Sequence, residues 1–200
     1  CTGTERGLAV FAAQDFEPGD IICRVPAEAI ITAAPQQATG KAASLPDPAL
    51  ALAEALLRER SLGTRSRFAP YLAALPAAGG LAPAHPLRWP LGVCLDELFS
   101  GSVHGRRLAQ ATLQEGRARA AALVASGSAV DEEEAVWALL VVDSRAFTFQ
   151  PGGPNETLAL VPLLDVFNSF SSLEKGEDDD EAVLWQGCFQ RDEAGGGRMM

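Results

Sequence analysis

The sequence predicts an α+β fold: short antiparallel strands at both ends, interrupted by an all-helical insert. Three observations predict it. The stretch 8–32 is rich in β-branched residues and broken at short intervals by Pro, Gly and Asp, which favours strands and tight turns. Helix caps and helical spacings fill 47–147, and strand character returns at 157–161 and 182–191. No repeat of fixed period is present, so a solenoid or propeller is set aside.

In order along the chain, strands are expected at 8–12, 21–25 and 29–32, with Glu17-Pro18-Gly19-Asp20 as a turn before the second. Residues 33–46, mostly Ala, Gln, Pro and Gly without a sustained period, read as a linker. A helix follows with Asp47 as cap, Pro48 at its first position, Leu52, Leu56 and Leu57 on one face and Gly63 to close it. Such a cap contributes about 1 kcal/mol. A short helical turn is expected over 67–75, then the Pro- and Gly-rich span 76–90.

Further helices are expected at 94–99 and 103–124. The second places Leu108, Ala111, Thr112, Glu115, Ala118, Arg119 and Ala122 on one face, built mostly from alanine, which implies close packing on another helix or shallow burial. The helix from 132 to about 147 is capped by Asp131, with Glu134 three residues on and three acids at its positive end. Residues 135–142 are apolar without a break, so this helix is expected to be buried on most sides.

After Phe149, Pro151-Gly152-Gly153-Pro154 marks a turn, 157–161 a strand, 163–170 a turn or short helix and 174–181 a solvated acidic loop. In 182–191, Val183, Trp185, Gly187 and Phe189 alternate with Leu184 and Cys188 as in a strand. The final Gly195-Gly196-Gly197-Arg198-Met199-Met200 reads as an arbitrary stop and not a packed terminus; with Cys1 in place of Met at the start, a fragment is expected. The chain divides into an N-terminal strand region (residues 1–46), a helical insert (residues 47–130) and an incomplete C-terminal strand region (residues 131–200).

Composition excludes several classes. With 200 residues and 48% hydrophobic content the chain can bury a real core. Its 16 Lys and Arg against 26 acids, net charge -10, argue against nucleic acid, whose phosphates need clustered cations, and favour a basic protein partner. The four cysteines (Cys1, Cys23, Cys94, Cys188) are scattered, indicating neither a zinc cluster nor a disulfide framework. No run approaches the ~18 apolar residues of a membrane span, and no signal or transit pattern is visible at the start. A soluble intracellular chain is expected, with cytoplasm, nucleus and chloroplast left open.

Three segments can carry chemistry. In Arg6-Gly7-Leu8, Gly7 lets the backbone bend or lets another group approach it. Arg145 closes a buried helix and must find an anion or carbonyls; Asp143 and Asp165 are the candidate partners. The run Leu-Val-Pro-Leu-Leu-Asp-Val-Phe-Asn-Ser (160–169) leads from a strand to Asp165 and Asn168, which at i and i+3 share one face of a helical turn. The plainer alternative is an Asx-type turn that only satisfies local backbone groups. A hydrolytic cation site built from Asp143, Asp165 and Asp178-Asp179-Asp180 is disfavoured, because no His lies nearby and hard cations need convergent oxygens. His85 and His104 read as surface or turn residues.

Ser144-Arg145-Ala146-Phe147, the 160–169 run, Arg6-Gly7-Leu8 and the Asp15-to-Asp20 turn together resemble the SET methyltransferases of the Rubisco large-subunit methyltransferase-like group, in which a helical insert splits the SET domain. In the insert, Leu57-Arg58-Glu59, Ser61-Leu62-Gly63 and Phe68-Ala69-Pro70-Tyr71-Leu72 are similar to it as well. The resemblance spans about 3–190 and is strongest at 8–26, 52–76 and 136–168.

The resemblance implies a SET-type β-fold, S-adenosylmethionine as cofactor, and transfer of its methyl group to a lysine, or in a variant of the group a histidine, of a protein substrate by a monomeric enzyme. It implies a cofactor site lined by Arg6, Gly7, Leu8, Arg145, Asp165, Asn168 and Ser169, with Arg145 near the cofactor's carboxylate. The family's motif ends Asp-x-x-Asn-His; here Ser169 stands for the His, so backbone contacts survive but side-chain packing does not. The family's catalytic tyrosine, in a Tyr-Gly after a Gly-Glu-Glu-like strand, has no counterpart, since the single tyrosine, Tyr71, sits in the insert. The catalytic residue is thus unassigned, and the family's helical substrate-binding domain is missing too. A non-catalytic interaction protein on a SET scaffold is the alternative, and the lack of clustered cysteines separates the chain from zinc-bearing histone SET enzymes.

Overall fold

Asp47 starts the first helix by accepting hydrogen bonds from the backbone N–H groups of Ala49 (3.0 Å) and Leu50 (3.3 Å), with Pro48 where its missing N–H costs nothing. In a computed structural model of the chain this helix, α1, spans Pro48–Ser61. Gly63 follows in the left-handed conformation (φ +55°), as a closing glycine should. Leu52, Leu56 and Leu57 are buried as expected, together with Ala53 and Ala55. The structure describes residues 2–4, 7–9, 12–17, 20–33, 47–77, 85–89, 94–149, 157–166, 189–191 and 197–199. The expected linker beyond Ala33, the 151–154 turn, the acidic loop 174–181 and most of the strand at 182–191 therefore lie outside the described residues.

Among the described residues the other helices are α2 (Ala69–Ala74), α3 (Leu95–Leu98), α4 (Val103–Ala125) and α5 (Glu132–Arg145), with 3-10 turns at Ala27–Ala29, Gly63–Arg65, Pro86–Arg88 and Leu164–Val166. The strands are β1 (Thr2–Thr4), β2 (Gly7–Ala9), β3 (Cys23–Val25), β4 (Ile31–Thr32), β5 (Ala146–Phe149), β6 (Thr157–Leu160), β7 (Phe189–Arg191) and β8 (Gly197–Met199). The architecture is thus mixed: helices in the middle of the chain, small antiparallel sheets from its two ends.

α5 is the central element. Asp131 accepts from the Glu134 N–H at 2.8 Å, and Glu134 reaches back to the Val130 N–H at 2.9 Å, one residue before the usual partner in a capping box. All of 135–142 is buried, against α1 on one side and α4 on the other. The helix stops at Arg145, short of the expected 147. Ala146 turns extended (φ −77°, ψ 142°) because Ala146 and Phe147 pair with Leu160 and Ala159 of β6, and the ladder replaces the next helical turn.

α4 begins where expected, with Ser102 capping Gly105, but it buries a different face. Ala109, Leu113, Gly116, Ala120 and Leu123 form the seam, while Leu108 is 61% exposed and none of the other residues of the expected face is buried. Alanines on every side leave the periodicity weak, so the seam is chosen by close approach. At Gly116 a Cβ would lie 2.2 Å from Leu87 Cδ2, and only hydrogen fits there.

β4, β6 and β5 form one antiparallel sheet in that order, β1 and β2 a second, and β3, β8 and β7 a third. The pairing of Gly197–Met199 with both β3 and β7 corrects the reading of the last residues as an unpacked stop. Pairing is made by main-chain groups, which a glycine-rich composition does not advertise. The larger apolar cluster joins Ile31, Leu52, Leu56, Ala120, Leu139, Leu140 and Leu160, hence residues from all three expected spans of the chain. A smaller one (Val25, Ile30, Ala159, Val161, Leu164) lies across the β4–β6–β5 sheet. Among the described residues no helix is long and apolar enough to cross a membrane.

Candidate functional site

The site is built on the residues that follow β6. Leu160, Val161 and Leu164 are buried and tether the chain, whereas Leu163 between them is 61% exposed with φ +72°. A leucine in the left-handed region costs roughly 1–3 kcal/mol and persists only where its surroundings over-determine it. Among the described residues the local backbone bonds supply little of that constraint: Asp165 N–H to Val161 O is 3.4 Å and Val166 N–H to Leu163 O is 3.3 Å, both long.

Side chains supply it. Asp165 Oδ2 accepts from Arg145 Nη1 at 3.1 Å and from the Tyr71 hydroxyl at 2.9 Å, and Arg145 Nη1 also lies 3.3 Å from the Asp165 carbonyl. The Asp165 side chain is 3% exposed and that of Arg145 19%. A carboxylate so enclosed must be satisfied, and here a cation and a phenol do so together. Burial, with the Asp165 charge and hydrogen bond beside it, pushes the Tyr71 phenol well above its ordinary range, and the Arg145 charge opposes this only in part. Arg145 Nε is buried and, among the described residues, has no hydrogen-bond partner.

Of the two partners expected for Arg145, the structure selects Asp165. Asp143 faces a separate cluster in which Arg119 binds Asp47 (2.7 Å) and Glu115 (2.8 Å). Desolvation raises the Asp143 carboxyl there, with Arg119 and His85 opposing and Asp47 and Glu115 adding to the rise. The backbone N–H groups of Phe167 and Asn168, which an Asx-type turn at Asp165 would use, lie outside the described residues. Ser144, the first residue of the Ser-Arg-Ala-Phe segment, spends its hydroxyl on the Leu140 carbonyl at 2.7 Å. Gly7 and Leu8 lie in β2, which pairs with β1 in a sheet distinct from the one that carries β6. Arg6, Asn168 and Ser169 lie outside the described residues.

No family model matches this chain, and no curated protein matches it. The site therefore rests on its own geometry. That geometry includes a residue which sequence reasoning passed over: Tyr71, 94 positions from the carboxylate it serves. The signal that could have found it was stoichiometric, since a buried Asp needs more than one donor and the chain has a single tyrosine. Among the described residues no three His, Cys, Asp or Glu side chains converge as metal ligands. His85 caps the Pro86–Arg88 turn through Nδ1, which accepts from the Leu87 N–H at 3.2 Å, and His104 is exposed on α4. A separate cleft of about 490 Å³, walled by Glu54, Arg58, Arg60, Ser128 and Glu134, shares no residue with the Asp165 site.

Proposed function

We propose that this chain is the S-adenosylmethionine-binding portion of a split-SET protein-lysine N-methyltransferase. The observation that carries the reading is the Arg145–Asp165 pair, which joins the Ser-Arg-Ala-Phe segment to the 160–169 run beside the paired strands β5 and β6. Both lie in the 144–169 stretch, which with Arg6-Gly7-Leu8 carries most of the resemblance. The order of strands, helices and strands supports it too.

In this reading Arg6, Gly7 and Leu8 form one wall of the cofactor site, and Arg145, Asp165, Asn168 and Ser169 the other. The bound cofactor supplies an electrophilic methyl group on a sulfonium, and the protein supplies alignment. Arg145 fits a cofactor carboxylate by its chemistry: one fork nitrogen is held by Asp165, and its buried Nε–H is a donor without an acceptor among the described residues. The acceptor amine of a protein substrate must be neutral, which for lysine means lowering a value of about 10.4 by desolvation. The chain acts as an intracellular monomer on a protein, not on nucleic acid.

A second reading, a non-catalytic scaffold, is favoured by one observation. The chain's only tyrosine gives its hydroxyl proton to Asp165 and so is not free to line a methyl-transfer channel. Equilibrium binding of S-adenosylmethionine tests what the two readings share; Arg145→Ala and Asn168→Ala each weaken it, and unchanged binding in both refutes the site. Labelled methyl transfer to a mixed protein substrate then separates them.

A further inference from the structure

We infer that Tyr71 is the positioning residue of the Asp165 turn, the hydroxyl through which the helical insert sets the geometry of the proposed cofactor wall. The inference rests on the reading above for the word cofactor, but not for the contact itself.

The turn is poorly held by its own backbone. It contains a left-handed leucine, and the local hydrogen bonds among the described residues are long, at 3.3 and 3.4 Å. Two donors from elsewhere in the chain meet at Asp165 Oδ2 and restrain it. Arg145 comes from the end of α5, the most buried helix among the described residues.

Tyr71 comes from α2, which is fastened on both flanks. Ahead of it, Ser66 donates to Glu59 of α1 at 2.7 Å and accepts from the Phe68 N–H at 3.0 Å, and Phe68 is buried. Behind it, Leu75 is buried and Trp137 of α5 donates to the Pro76 carbonyl at 2.9 Å. The phenol therefore arrives from a fixed support, and the turn is the partner that conforms. A hydroxyl is suited to this: it adds a directional donor without a second positive charge, so it orients the carboxylate while leaving the ion pair with Arg145 intact.

The test compares the full chain with Tyr71→Phe, which keeps the ring and removes only the hydroxyl. Two readouts are taken: amide hydrogen exchange over 161–166, and equilibrium binding of S-adenosylmethionine. In Tyr71→Phe, exchange over 161–166 speeds up by about tenfold, the scale of one hydrogen bond to a charged group, while α1 and α5 keep their protection. Affinity for S-adenosylmethionine falls by a similar factor. A purely structural tyrosine would give uniform acceleration across the molecule with unchanged affinity, and that result overturns the inference, as does unchanged exchange over 161–166 or unchanged affinity in a wild type that binds. If the wild type binds no S-adenosylmethionine, the cofactor reading falls, and exchange over 161–166 alone decides for or against Tyr71.

Discussion

The Tyr71 hydroxyl donates a hydrogen bond to Asp165 Oδ2 at 2.9 Å, joining α2 to the turn after β6. Because Tyr71 is the only tyrosine in the chain, its ionisation can be followed by absorbance without ambiguity. The fold raises the phenol above its ordinary value of 10.0, so the folded chain holds this proton more tightly than the unfolded one. The resulting stability is fully present below that ordinary value and is lost as pH rises beyond it. The tyrosinate signal is expected only as the protein unfolds in alkali, and Tyr71→Phe should flatten the alkaline loss of stability. A folded chain that titrates at the ordinary value would rule out the bond.

Removing the acceptor is expected to be worse than removing the donor. Asp165→Ala leaves a mostly buried guanidinium and a half-buried phenol without their partner and should cost about 3–5 kcal/mol. Tyr71→Phe removes one bond and should cost about 1–2 kcal/mol. Urea unfolding of both variants checks the order; equal losses would mean that Asp165 is not the shared acceptor.

At Gly116 helix propensity and packing pull in opposite directions. Alanine in a helix interior gains about 1 kcal/mol over glycine. Its Cβ, however, would meet Leu87 Cδ2 at 2.2 Å and both Cδ1 and Cγ at 2.9 Å, so the whole side chain must move, and overpacking costs roughly 1–3 kcal/mol. Gly116→Ala should be destabilising, and combining it with Leu87→Ala should recover the propensity gain relative to Leu87→Ala alone. Thermal unfolding of the three variants measures this directly.

Asp143 carries a carboxyl raised by desolvation from an ordinary 3.8, so the folded chain favours its protonated form. Stability from this group is present at low pH and falls as pH rises through the folded value. Asp143→Asn keeps the site neutral, so the variant should be more stable than wild type near neutral pH, with the advantage shrinking on acidification. Asp143 retains solvent exposure, which keeps the effect modest. Urea midpoints across that range test it, and a constant difference at all pH values would contradict it.

Caps and uninterrupted apolar runs were legible because they act locally. Asp47, Pro48 and Gly63 mark α1, and Asp131 with the 135–142 run marks α5, each through bonds or burial within a few residues. The face of α4 was not legible: with alanine on all sides, the seam through Gly116 follows from the shape of Leu87, a residue outside the helix. The end of α5 was misread for a related reason, since Ala146 and Phe147 belong to a ladder whose partner lies in β6. At the site, Arg145 and Asp165 were visible as a buried charge and a candidate partner, but the choice between Asp143 and Asp165 was not.

The sequence by itself determined where the helices begin, which helix would be central, and that Arg145 would need an anion, because these follow from short-range hydrogen bonding and from the cost of burying charge. Only the tertiary structure decided which carboxylate answers Arg145, that Tyr71 shares it, and which stripe of α4 is inside. Those outcomes depend on contacts between residues far apart in the chain, and in such contacts shape and distance select among partners that composition leaves equivalent.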